Sequence, residues 1–316
     1  MNGFLNILKP PGLTSHDVVE YIRGRIKVKV GHGGTLDPGA AGVLPVLLGK
    51  ATRLSSYLVD FPKIYRAELF LGLSTDTADA SGKIIRRASS FRFNFKDIEE
   101  VFCSFEGEIM QIPPMFAAVK HRGKKLYEYA RQGTTVERNP KAVHIYYIKI
   151  LDYFPPQRIY FEVKCSKGTY IRTLCSQIGD ALGCGGHMAF LLRKEVGPFV
   201  LSESHILEEF SGRESYGHLL LPLDFLFQKM DYLMLGYEDI RFLSQGSFLS
   251  FKEVSNRAIN VFSEPADDKI VPVYTPKKEF AVLARWKCNH GSGFFLKPEK
   301  VFQTIKNKGS YHEGNI

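Results

Sequence analysis

The chain has 316 residues, 44% hydrophobic and 24% charged, with 28 Gly and 16 Pro. That length corresponds to about two domains, and the composition excludes disordered, collagen-like and low-complexity classes for the bulk of the chain. Lys and Arg outnumber Asp and Glu by 42 to 33, leaving a net charge of +9, a field that attracts polyanions.

The longest apolar runs, such as 42–48 and 196–201, are strand-length and far short of the roughly 20 residues a bilayer requires. No basic stretch precedes an apolar one at Met1–Asn6, so a cleaved signal is not expected and a cytoplasmic location is. Five cysteines, 103, 165, 175, 184 and 288, form no C-x-x-C pair. They read as reduced thiols rather than a disulfide or metal framework.

In chain order, residues 3–8 read as a short buried strand stopped by Lys9-Pro10-Pro11-Gly12. Thr14 and Asp17 have capping-box spacing, and Val18, Val19, Ile22 and Ile26 recur on one helical face. Residues 31–42 hold five glycines and a proline, which predicts a loop of special backbone geometry. A strand over 43–48, a helix over about 50–59 and a strand over 65–71 follow, then a polar turn over 75–82. Asn94 can cap a helix running to about 105, and 107–112 is strand-like. A short basic helix is expected from about 125 to 132. Residues 142–153 and 158–166 alternate as neighbouring antiparallel strands across Pro155-Pro156. A helix from about 171 to 182 ends at Gly183.

No regular βαβ beat appears, so the expected class is α+β with a mixed, largely antiparallel sheet. After Leu221-Pro222-Leu223-Asp224 the pattern changes. One short helix, 237–243, and strands over 258–262, 270–274, 280–287 and 294–297 suggest a small β-barrel-like module, and 305–316 a frayed tail.

Residues 115–149 carry eight cations against two anions, interleaved with Tyr127, Tyr129, Tyr146 and Tyr147. Cations mixed with aromatics suit phosphate contacts and base stacking; a solvated amphipathic helix followed by a half-buried strand has the same composition. Asp37, fixed between Leu36 and Pro38 in the glycine-rich loop, is the residue type and setting of an active-site carboxylate, and equally of an Asx-turn. The loop lacks the G-K-[ST] of a phosphate cradle, and no G-x-S-x-G elbow occurs, which disfavours kinases and hydrolases.

These segments together resemble the bacterial TruB-type tRNA pseudouridine synthases. The resemblance rests on Lys9-Pro10-Pro11-Gly12, on Gly31-His32-Gly33-Gly34-Thr35-Leu36-Asp37-Pro38 running on to Pro45, on Tyr65-Arg66-Ala67, and on the Thr75–Gly82 turn. It continues through Gln111-Ile112-Pro113-Pro114-Met115 to Lys120, Tyr127 to Gly133, Ser166 to Leu174, and Leu296 to Phe302. Gly33, Ala117 and Gly39-Ala40-Ala41 depart from commoner residues of the family.

The resemblance implies a pseudouridine-synthase fold over 1–228, with an RNA-gripping flap at about 115–149, a PUA-like module over 229–303 and a tail at 304–316. It implies isomerisation of the T-loop uridine of tRNA, position 55, with no cofactor, no metal, no membrane and no obligate protein partner. Asp37 matches the family nucleophile, Arg172 its partner and Tyr65 the tyrosine that stacks on the flipped uracil. Tyr170 and Leu191 match residues beside the base. His32 matches the histidine that fills the vacated space, and Lys9 and Asp79 match positions near the site. Lys120, Lys124, Lys125 and Arg131 would hold T-arm phosphates. Three other readings share features of the sequence: a non-catalytic tRNA-folding chaperone, a guide-RNA-dependent pseudouridine synthase, and a hydrolase using Asp37 as base.

Overall fold

The computed structural model describes residues 1–117, 119–121, 123–210, 216–289 and 293–303, and of Lys120, His121 and Arg131 the backbone only. The tail expected to fray, 304–316, lies outside them. The described residues fall into two compact units, Gly3–Leu221 and one beginning at Pro222.

The first unit is built on a sheet whose strands are β1 (Gly3–Lys9), β2 (Val30–His32), β3 (Ala41–Leu48), β4 (Lys63–Leu71), β5 (Gly107–Gln111), β6 (Lys141–Phe154), β7 (Arg158–Cys165), β8 (Gly186–Val196) and β9 (Phe199–Val200). Their order is β1-β3-β8-β4-β7-β6-β5, with β2 on β3 and β9 on β8. All pairs are antiparallel except β3 with β8, so the sheet is mixed and largely antiparallel, as expected.

Helices cover the sheet where the apolar spacing predicts. α1 (Ser15–Arg23) starts on the Thr14/Asp17 capping box and buries Val18, Val19 and Ile22 against Leu5, Ile7, Leu44 and Val46. The stretch expected as one helix over 50–59 splits into a 3-10 turn, Gly49–Leu54, and α2 (Ser55–Asp60). α3 (Phe95–Cys103) starts on the reciprocal Asn94/Asp97 box and sets Phe102 edge-on to Phe161 of β7, with ring centroids 5.4 Å apart. α4 (Leu126–Arg131) is the short basic helix, and α5 (Ile171–Ala181) buries Ile171, Leu174, Cys175 and Ile178.

Two apolar cores result. One lies between α1 and the β1/β3 end, the other between α3, α5 and the β4/β7/β6 part. The glycine-rich loop passes from the first, which contains Val30, to the second, which contains Leu36 and Ala40. It re-enters the sheet beside β8, where Ala41 pairs with Leu192 and Gly42 with Arg193. Gly42 has φ 116°, and a Cβ there would fall 2.2 Å from the Arg193 carbonyl oxygen; only glycine fits this junction.

The basic segment expected as a flap over 115–149 is shorter. From Lys141 onward it is β6, paired with β5 and β7 inside the sheet. Between 115 and Lys141 the described residues form the hairpin Lys120–His121/Lys124–Lys125 and α4.

The second unit has a five-stranded sheet of β10 (Leu233–Met234), β11 (Leu249–Ser250), β12 (Ile270–Tyr274), β13 (Phe280–Asn289) and β14 (Gly293–Val301), in the order β10-β12-β13-β14-β11. It closes over Trp286, Leu296, Val271 and Ile240, with α6 (Tyr237–Ser244) and α7 (Phe251–Arg257). Sequence spacing put a strand at 258–262; no strand forms there, and α7 precedes it. The α7 start was readable: Ser250 and Glu253 form a capping box, with both reciprocal bonds present.

α5 packs so closely on β8 that a Cβ at Gly179 would lie 2.4 Å from the Gly186 nitrogen. A helical Gly→Ala change normally stabilises by up to about 1 kcal/mol. Gly179→Ala is expected to do the reverse and lower unfolding free energy by about 1–3 kcal/mol, as measured by urea denaturation; a stabilised variant would contradict this packing.

Candidate active site

The loop bearing Asp37 is tied down from every side by groups that its sequence neighbours supply. Ser15, at the first position of α1, accepts from the Leu36 N–H at 2.8 Å and donates to the Leu36 carbonyl at 3.2 Å. The Gly12 N–H donates to the Pro38 carbonyl at 2.8 Å, so the Lys9–Gly12 turn braces the residue after the aspartate. Ala40 closes a turn on the Asp37 carbonyl at 3.0 Å.

Lys9 belongs to this bracing and does not line the cleft, contrary to a substrate-binding place. Its side chain is fully buried, and its ammonium donates to the carbonyls of Pro10 (2.9 Å), Leu13 (2.5 Å) and Pro38 (3.2 Å). Three protons meet three acceptors, which leaves none for a ligand. Burial lowers its pKa to about 8, against the pull of the Asp37 charge.

Asp37 faces Arg172. The guanidinium Nε lies 2.9 Å from Oδ2 and Nη2 3.3 Å from Oδ1, a two-pronged contact that fixes the plane of the carboxylate. Arg172 is 4% exposed and is itself held by the Phe116 carbonyl at 2.9 Å, the Thr77 carbonyl at 3.5 Å and the Asp79 carboxylate at 3.6 Å. Asp79 is oriented in turn by the Thr77 hydroxyl (2.8 Å) and the Ser81 N–H (2.9 Å). Its turn is pinned to β8 through Met188 N–H to the Ala78 carbonyl and Ala80 N–H to the Met188 carbonyl, each at 3.0 Å.

Arg172 points inward because α5 starts at a clamped residue. Gln111, buried at the end of β5, accepts from the Tyr170 N–H at 2.9 Å and donates to the Tyr170 carbonyl at 3.3 Å. Gln111 did not stand out in the sequence beyond its place in the Gln111–Met115 motif.

These groups open on a cleft of about 1090 Å³ lined by His32, Asp37, Asp79, Lys125, Arg172 and Leu191, among others. Phe116 and Phe190 add exposed aromatic surface to it. Leu191 is buried and joins the apolar core as well as the wall. Lys125 sits over the Tyr127 ring at 5.4 Å, and Lys124 is exposed on the same hairpin. The side chains of Lys120 and Arg131 lie outside the described residues.

Neither Tyr65 nor Tyr170 is among the residues that line the cleft. Tyr65 packs against the core; burial raises its pKa, Arg193 opposes that, and the Asp37 charge reaches it. Burial likewise raises Tyr170, with Arg172 opposing and Asp37 adding to the rise. Burial, reinforced by Arg193, lowers His32, so its imidazole is neutral at neutral pH. Among the described residues no group of three His, Cys, Asp or Glu side chains is placed to hold a metal, and no helix is long and apolar enough to cross a membrane.

Asp37, held in plane by the buried Arg172, thus lines a cleft together with aromatic and cationic side chains. The model of the TruB family pseudouridylate synthase N-terminal domain matches residues 23–171, and that of the tRNA pseudouridylate synthase B C-terminal domain matches 172–228. The chain belongs to the TruB family of pseudouridine synthases. It is 46% identical over 279 residues to the tRNA pseudouridine synthase B of Alkaliphilus oremlandii, covering 88% of this chain and 91% of that one. With the same-named protein of Moorella thermoacetica it shares 43% over 307 residues, 95% and 99% of the two chains. A chain in the crystal structure of a Cbf5-Nop10-Gar1 complex superposes with a TM-score of 0.73 at 29% identity, covering 95% of this chain and 85% of that one.

The family's frequent Thr at position 33 is Gly here for a visible reason. A Cβ at Gly33 would fall 2.4 Å from Leu58 Cδ1.

Burial, with the Asp79 charge adding, raises the Asp37 pKa above its ordinary 3.8, and Arg172 opposes this. A reaction that needs the carboxylate is therefore lost as pH falls through a value above 3.8. The acid limb of kcat/KM, which reports groups of the free enzyme, should have its midpoint above 3.8. A limb centred at or below that value would contradict the assigned environment.

Proposed function

We propose that this chain isomerises uridine to pseudouridine in the T-loop of tRNA, at position 55, and that it works in the cytoplasm. The observation that carries the reading is the Asp37–Arg172 pair, a bidentate contact at 2.9 and 3.3 Å between a buried guanidinium and a partly exposed carboxylate that opens on the cleft. The names of the relatives at 46% and 43% identity support tRNA as substrate. In this reading the Gly3–Leu221 unit does the chemistry and the second unit is the PUA-like module.

The reaction breaks N1–C1′, turns the uracil and joins C5 to C1′; the C5 proton leaves and N1 gains one, so no redox partner enters the balance. Asp37 supplies the carboxylate that forms an adduct with the sugar or removes its C2′ proton. Arg172 keeps that carboxylate ionised and aimed. Tyr65 borders the base and takes the C5 proton, with Leu191 and Tyr170 confining the ring.

The uridine must leave its stack before any of this, at a cost of a few kcal/mol. His32 lines the cleft on the loop of Asp37, and its Nδ1 is buried with no hydrogen-bond partner among the described residues. A neutral imidazole there stacks in the vacated space and offers that nitrogen to the RNA. Lys124 and Lys125 reach T-arm phosphates, with Lys120 and Arg131 on the same segment.

An unmodified T-arm hairpin incubated with the protein should gain pseudouridine at the position of U55, scored by mass spectrometry after carbodiimide labelling. Asp37→Asn should abolish the product while still binding the hairpin in a gel-shift assay. Product at another uridine would overturn the positional reading, and product formed by Asp37→Asn would remove Asp37 as the reacting carboxylate.

A further inference from the structure

Arg193 is 2% exposed, and among the described residues it forms no ion pair with a carboxylate. A buried guanidinium without a counter-charge carries a large desolvation penalty, so its partners indicate what it is kept for. Nε donates to the Val43 carbonyl at 2.8 Å, Nη2 to the Gly34 carbonyl at 3.1 Å and Nη1 to the Thr35 carbonyl at 3.4 Å. Gly34 and Thr35 are the residues that lead into Leu36 and Asp37; Val43 follows the loop's return into the sheet.

Arg193 is also the cross-strand neighbour of Tyr65 in the β8/β4 register, and its charge opposes the rise that burial gives the Tyr65 pKa. One side chain thus holds the Asp37 loop and stands beside Tyr65.

We propose that Arg193 is a positioning residue of the reaction, a buried brace that fixes the Asp37 loop relative to the strand that carries Tyr65. This rests on the reading of Asp37 and Tyr65 given above. The charged and titratable groups around the pair are consistent with a brace rather than a counter-ion. Lys9, Lys63 and His32 are further cationic or neutral bases, and Cys165 is a buried thiol that burial pushes up to about 12. Asp37, whose charge reaches Tyr65, already has Arg172 as its partner. Arg193 therefore does not serve to neutralise an acid, and what it supplies is geometry.

Arg193→Lys keeps the charge but cannot span the three carbonyls as a planar fork does. In single-turnover tritium release from C5-labelled tRNA, this variant should lose rate by about 100-fold, the size of effect that a misplacement near 1 Å produces. Its tRNA affinity and melting temperature should stay near those of the unaltered protein. A near-normal rate, or a loss of rate matched by an equal loss of affinity, would overturn the proposal.

Should Arg193→Lys not fold, Tyr65→Phe carries the test, because it deletes only the phenol oxygen. The Arg193 guanidinium resonances in nitrogen-15 NMR of the full chain should shift in that variant, and unchanged resonances would overturn the brace. Absence of tritium release by the unaltered protein would instead defeat the proposed function, so the two failures are distinguishable.

Discussion

The site depends on one ion pair made between distant parts of the chain. Asp37 comes from a loop joining β2 to β3, and Arg172 from the second residue of α5, 135 positions later. Burying either charge alone is unfavourable. The pair is kept by surroundings that satisfy the remaining donors: the Phe116, Thr77 and Asp79 oxygens for the arginine, and the Ser15, Gly12 and Lys9 contacts for the backbone of the aspartate loop.

This explains why the sheet has its one parallel pair where it does. The β3/β8 junction lets the loop drop from the α1 core into the α5 core, with Leu36 as the anchor. At the junction Gly42 allows the backbones to approach to a distance no side chain tolerates. The buried cations beneath the loop, Lys9 and Arg193, spend nearly all their hydrogen bonds on main-chain carbonyls. They act as fasteners for an irregular segment whose polar groups would otherwise be left unpaired.

The capping boxes of α1 and α3, the β6/β7 hairpin and the special loop at 31–42 were legible in the sequence because each is set by local rules. So was Asp37, by its setting between Leu36 and Pro38. Other features were not legible. Strand β8, at the centre of the sheet, reads poorly because His187, Arg193, Lys194 and Glu195 interrupt its apolar run, and their partners are supplied by distant strands. Lys9 matches a family position near the site, but nothing local reveals that three carbonyls converge on it. The helix capped at Ser250 ends at Arg257, and the 258–262 stretch expected as a strand runs on from it without one. Tyr65 and Tyr170 match through the family resemblance, and only the fold shows that neither is among the residues lining the cleft.

The account stands or falls on whether the planar two-pronged contact of Arg172, rather than its charge alone, supports the chemistry of Asp37. The direct measurement is the single-turnover rate of tritium release from C5-labelled tRNA by Arg172→Lys, set against its tRNA affinity. The account predicts a severe loss of rate with affinity largely kept, because an ammonium cannot hold both carboxylate oxygens in plane. A rate near that of the unaltered protein would contradict it.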